Sequence, residues 1–223
     1  MKTDFIVIAY GSDQRFYNDI ENMGHFVKHI NRRLRKYTRE WLVTTEFYNK
    51  NKAILDSSKG GGWWSWKPFI ILDALKEYER VLYMDANTIF AKQNIDKVAG
   101  LVNSIDVLGC IKTGFLNKDY TTEQCYQVMN CLTPEYKLEC QVWAGVVIAT
   151  RKAIPILNEW LKYVCIHDAV CPDKDDVNNH RHRNDQSILT NLIIKYKIPT
   201  LVNENIFYDN ANYRNHPITL KRL

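Results

Sequence analysis

The sequence predicts an α/β protein, a single domain over residues 1–223 with a central mixed, mostly parallel sheet flanked by helices. Three observations carry this reading. Apolar runs that break off into polar loop residues recur along the chain. Between them lie segments whose apolar residues return every three or four positions. No internal repeat or linker-like stretch divides the 223 residues.

Taken in order, Phe5 to Tyr10 is an unbroken apolar run closed by Gly11, Ser12 and Asp13, the pattern of a buried strand opening into a loop. Phe16, Ile20, Met23, Val27, Ile30 and Leu34 then recur at spacings of four and three, which predicts a helix. The basic run Arg32, Arg33, Arg35, Lys36 would suit the negative end of its dipole. A short strand is expected at Leu42 to Thr45. Pro68 fits a first helical turn, and Phe69, Leu72, Leu75 and Tyr78 continue that helix toward Glu79. Val81 to Met84 reads as a buried strand running straight into Asp85, Ala86 and Asn87. Further strands are expected at Val107–Ile111 and at Val142–Ala149, the second interrupted by Ala144 and Gly145, with a last strand at Thr200–Val202. Helices are expected over Lys152–Val164 and Asp185–Tyr196.

Composition narrows the function classes. Apolar residues make up 46%, and 30 Lys and Arg stand against 25 Asp and Glu, which describes a globular chain and disfavours disordered and fibrous classes. No run approaches the roughly 18–20 apolar residues of a membrane helix. The amino terminus lacks the pattern of an export signal, so a cytoplasmic location and free thiols at the six cysteines are expected. The net charge of +5 gives weak support to a nucleic-acid partner, and none is expected; peripheral contact with anionic head groups stays open. Cys165, His167, Cys171, His180 and His182 match no short-spaced zinc pattern.

Three segments carry chemistry. Asp85-Ala86-Asn87 sits at the carboxyl end of a strand, where open α/β sheets bind ligands. Two readings stand there: a pair of oxygen ligands for a hard divalent ion, or an Asx turn capping the next element. Gly60-Gly61-Gly62 lacks the spacing of a P-loop, and no dinucleotide-binding glycine fingerprint occurs, so both of those classes are disfavoured. The following Trp63, Trp64 and Trp66 cannot all be buried on one helix face, which leaves at least one to line a pocket. Lys67 is either a phosphate contact or a plain helix-start lysine. Near the end, His180 to Gln186 precedes a helix start, where Asp185 is either an N-cap or a carboxylate presented to substrate.

The ordered segments WSWKPFIILDAL, VLYMDAN, VWAGVVIATR and HRHRNDQSIL resemble small GT-A-fold glycosyltransferases of the kind bacteria and large DNA viruses use to build surface glycans, over nearly the whole chain. The resemblance extends to the lipopolysaccharide galactosyltransferase and glycogenin-like family. It implies a GT-A, Rossmann-like domain and a hexosyltransferase using a nucleotide-sugar, UDP-linked in the first instance, with Mn2+ or Mg2+ and a glycan or glycoprotein acceptor. Residue by residue, it implies Asp185 and Gln186 as catalytic and Asp85, Asn87 and His216 as metal ligands. Ala9, Tyr10, Gly11, Trp66, Lys67, Asp85, Ala86, Ala144 and Gly145 would line the donor site, Tyr10 stacking on the base. The chain departs from the family in two places: Asn87 replaces the last Asp of the Asp-x-Asp motif, and Ser187 follows Gln186 where the family has Asp. The first departure keeps open a second reading, a catalytically weak or inactive carbohydrate-binding protein of the same fold.

Overall fold

The computed structural model describes residues 5–90, 94–171, 182–202 and 206–209. Its main sheet has five strands in the order β2-β1-β3-β6-β5, formed by β1 (Phe5–Gly11), β2 (Leu34–Thr38), β3 (Arg80–Met84), β5 (Leu108–Leu116) and β6 (Cys140–Thr150). β1 pairs in parallel with both β2 and β3, while β6 runs antiparallel to β3 and to β5. Four strands thus share one direction and β6 is reversed, a mixed, mostly parallel α/β sheet. A two-stranded antiparallel ribbon of β4 (Thr88–Phe90) and β7 (Phe207–Asp209) lies apart from it.

Both faces of the sheet are buried, which explains its continuous apolar runs. Ile6, Ile8, Tyr10, Val81 and Tyr83 face one core, together with the helices Lys67–Leu75 and Ile154–Val164. Phe5, Val7, Ala9, Leu82 and Met84 face the other, against α1 (Gln14–His29) and the helix Lys97–Ser104. Because β2 lies on one side of β1 and β3 on the other, the chain reverses its direction of travel at β1. The crevice at the carboxyl ends of β1 and β3 is therefore a topological switch point.

Three predicted elements are placed differently. The first helix stops at His29 and not at Leu34, because Asn31 adopts a left-handed φ of 52°. Asn31 N then bonds Lys28 O at 2.9 Å and Arg32 N bonds Val27 O at 3.2 Å, a Schellman ending. Leu34 and the basic run consequently belong to the turn and to β2. Leu42–Thr45 is no strand: Leu42 ends the short helix Arg39–Leu42, and Thr44 and Thr45 bond back to Trp41 and Leu42 in a turn. Within Thr200–Val202, Leu201 alone makes a parallel bridge, to Ile111.

The interruption expected at Ala144 and Gly145 is a bulge. Cys110 pairs with Val147, but Ile111 pairs with Trp143, so residues 144–146 have no partner in β5. Val142 and Ala144 face the same core as Val147 and Ala149, which strict alternation would forbid. Among the described residues, no helix is long and apolar enough to cross a membrane.

Trp160 ties the first core to the last helix. It is fully buried, and its indole Nε1 donates to the carbonyl of Asp185 at 3.1 Å. Trp160→Ala should cost about 3–5 kcal/mol of unfolding free energy in urea titrations. Trp160→Phe, which keeps most of the apolar volume and loses the donor, should cost less.

Candidate active site

The switch point opens into a cleft of about 880 Å³. Its walls come from the β1–α1 loop, the segment Ser58–Lys67, the residues after β3, the bulge of β6 and the start of the helix Asp185–Lys195.

At its base lies Lys67, the first residue of the helix Lys67–Leu75 and only 3% exposed. Its Nζ is 3.1 Å from Asp85 Oδ1 and 3.2 Å from Asp185 Oδ2, and it donates to the carbonyl of Ala144 at 3.2 Å. Tyr83, buried one pleat before Asp85, donates its hydroxyl to the same Asp85 oxygen, and its ring lies 5.5 Å from the ammonium. A buried lysine would ordinarily lose its proton. Here burial pulls its pKa down, but Asp185 and Asp85 outweigh it and hold the group charged. Asp185 is 3% exposed, and its pKa is pushed up to about 7 by burial; Lys67 opposes that rise and Asp85 adds to it. A carboxyl with that value exchanges its proton near neutral pH, as acid–base work requires.

The predicted residues divide clearly. Tyr10, Trp66, Lys67, Asp85, Ala86, Asn87, Gly145, Asp185 and Gln186 all line the cleft. Ala9 and Gly11 are buried within β1 and do not. Ala144 contributes its main chain: the carbonyl to Lys67, and the amide to Gln186 Oε1 at 3.2 Å. Tyr10 reaches the cleft at 4% exposure with Trp66 stacked on it at 3.9 Å, which leaves little ring for a base. Trp64 and Trp66 line the cleft, whereas Trp63 packs on the first core. Asp185 is the first helical residue and not the cap, a place taken by Asn184 at φ 49°. His182 lines the cleft but is buried, Nε2 meeting the carbonyl of Ala169 at 3.1 Å and Nδ1 accepting from Thr122 N at 3.3 Å. His216, His180 and Arg181 lie outside the described residues.

The glycine run is a left-handed turn. Gly60, Gly61, Gly62, Trp63 and Trp64 all have positive φ, from 55° to 106°. Glycine meets this conformation without strain, but each tryptophan costs about 1–2 kcal/mol there. A Cβ on Gly62 would sit 2.7 Å from Leu55 Cα, so the close approach also demands glycine. Trp66 Nε1 holds the turn by donating to the carbonyl of Gly60 at 3.1 Å.

A buried polar network escaped the sequence reading. Gln186 Nε2 donates to Gln141 Oε1 at 2.7 Å, and Gln141 Nε2 reaches Asn117 Oδ1, Thr121 Oγ1 and Ser187 Oγ within 3.3 Å. Asn117 Nδ2 in turn donates to Asn191 Oδ1 at 2.8 Å. Ser187 donates to the carbonyl of Tyr120 at 2.6 Å, so its hydroxyl has a structural partner. The available signal was the polar face Gln186, Ser187, Thr190, Asn191 inside an otherwise apolar helix.

For a divalent ion, Asp85 and Asn87 bring a carboxylate and an amide to the lining of the cleft. Asp85 Oδ1 is engaged by Lys67 and Tyr83, so Oδ2 is the donor that remains. Two such oxygens fit a hard ion that keeps waters and substrate oxygens in its other positions.

Lys67→Met should destabilise the protein by about 3–5 kcal/mol at pH 8, because two carboxylates would lose their cation. Urea titrations across pH should show that penalty shrinking toward pH 5. As pH falls through about 7, Asp185 takes up a proton and no longer needs the ammonium.

No protein-family model matches the sequence, and no curated protein matches it. In three dimensions the chain is similar to a glycosyltransferase involved in the glycosylation of the major capsid of PBCV-1. That likeness has a TM-score of 0.50 at 10% identity and covers 92% of this chain and 91% of that one. It is also similar to mouse xyloside xylosyltransferase 1 in its apo form, with a TM-score of 0.51 at 10% identity, over 89% of this chain and 84% of that one. At such identity the likeness speaks for the fold, and the fold is that of GT-A-like glycosyltransferases.

Proposed function

We propose that this chain transfers a glycosyl group, of hexosyl type, from a nucleotide-diphosphate sugar, in the first instance UDP-linked, to a hydroxyl of a glycan or glycoprotein. The observation that carries the proposal is the Asp85–Lys67–Asp185 cluster at the switch point of a glycosyltransferase fold. Breaking the sugar–phosphate bond develops positive charge at the anomeric carbon and negative charge on the departing diphosphate. Asp185 supplies a carboxylate facing the cleft. Once ionised, it accepts the acceptor hydroxyl's proton if configuration inverts, or positions the sugar if configuration is retained. Gln186, locked between Ala144 N and Gln141, presents a fixed amide beside it. Asp85 and Asn87, with His216 as a third ligand, would hold Mn2+ or Mg2+, whose charge would neutralise the leaving diphosphate.

A coupled assay of UDP release from a panel of UDP-sugars tests the reading. Asp185→Asn should lower kcat by about 10²–10⁴. In the wild type, kcat/KM should rise with pH through about 7 as Asp185 ionises, and that rise should vanish in the variant. Asp85→Ala should abolish any manganese stimulation of UDP binding in calorimetry. Glycan binding with no release of UDP, GDP or CMP from any donor would favour the second reading, a binding protein, for which Asn87 and the neutralising of Asp85 by Lys67 both speak.

A further inference from the structure

Lys67, the cation first expected to meet phosphate, is enclosed by two carboxylates and a carbonyl. Asp13 is likewise committed: its carboxylate caps α1 through Arg15 N and accepts from Ser12 Oγ. Among the described charged residues lining the cleft, that leaves Lys59 and Arg183. We infer that these two residues form the clamp for the donor's diphosphate, an inference that rests on the nucleotide-sugar reading above.

Neither residue pairs with a carboxylate among the described residues; each rests on an aromatic face. Lys59 Nζ lies 4.8 Å from the Trp63 ring centroid, and the Arg183 guanidinium lies 5.1 Å from that of Tyr120. An aromatic face holds a cation in place without cancelling its charge, so the charge stays available to an anion. Arg183 brings a planar fork matched to phosphate oxygens, and Lys59 a point charge.

Their backbones are fixed. Arg183 N bonds the Tyr120 carbonyl at 3.1 Å and Ser187 Oγ at 3.2 Å, two residues before Asp185. Lys59 opens the left-handed turn, and its carbonyl accepts from Gly62 N and Trp63 N. Strain of that kind persists where the surrounding structure holds a functional geometry. Both residues line the same cleft.

The test is calorimetric titration of the full chain with UDP, GDP, CDP and ADP, with pyrophosphate, and with the nucleoside of the best nucleotide. Lys59→Ala and Arg183→Ala should each weaken nucleoside diphosphate and pyrophosphate binding about tenfold and leave the nucleoside unchanged. Arg183→Lys should recover part of the loss, with circular-dichroism melting verifying the fold of each variant. Unchanged diphosphate affinity in both variants overturns the clamp and leaves the donor reading standing. An equal loss of nucleoside and nucleotide overturns it also. A wild type that binds neither nucleotide nor pyrophosphate overturns the clamp and the donor reading together, whereas variant-sensitive binding of pyrophosphate alone supports the clamp and removes the nucleotide.

Discussion

The cleft is organised round one buried ammonium group. A lysine taken out of water keeps its charge only if opposite charges and acceptors come with it. Here they come from three separate parts of the fold: Asp85 from the end of β3, Asp185 from the start of the last long helix, and the carbonyl of Ala144 from the bulge in β6. Removing the ammonium would leave two carboxyl groups without their cation, and removing an acceptor would leave the ammonium less well solvated. The interaction that fixes these three elements relative to one another also bears on the protonation of Asp185, because burial raises its pKa and Lys67 opposes that rise.

The polar network behind the site has a related part. Gln141, Asn117, Thr121, Ser187 and Asn191 are all buried, yet their polar atoms find partners in one another and in nearby carbonyls. Networks of this sort add little net stability, but a misplaced element would leave several groups unsatisfied at once. That makes the position of Gln186 a property of the whole interface between β6 and the helix Asp185–Lys195.

Much of this was legible in the sequence, for reasons specific to each element. β1, β3 and β6 are buried on both faces, so their apolar runs stand out, and Asp85 and Asp185 were marked by lying where such elements begin or end. β2 was hidden because it is an edge strand of mostly half-buried residues, two of its five basic, and because Leu34 happens to continue the periodicity of α1 across the Asn31 turn. The glycine run was conspicuous, but nothing local makes Trp63 and Trp64 left-handed; the packing of Gly62 on Leu55 and the bond from Trp66 to Gly60 do. The partners of Lys67 lie 18 and 118 residues away, and those of Gln141 up to 46 residues away, so only folding brings them together.

The reversal of β6 has a further meaning. In an all-parallel sheet, loops alone reach the ligand-binding edge. A reversed strand delivers its entering half there, so the carbonyls of Ala144 and Gly145, bonded to Lys67 and to the amide of Asp85, become part of the floor. These acceptors are main-chain atoms. Any small residue in the same backbone path would present them equally well, so this part of the site can outlast nearly all change in side chains. That is one physical route by which two chains can share a fold at 10% identity.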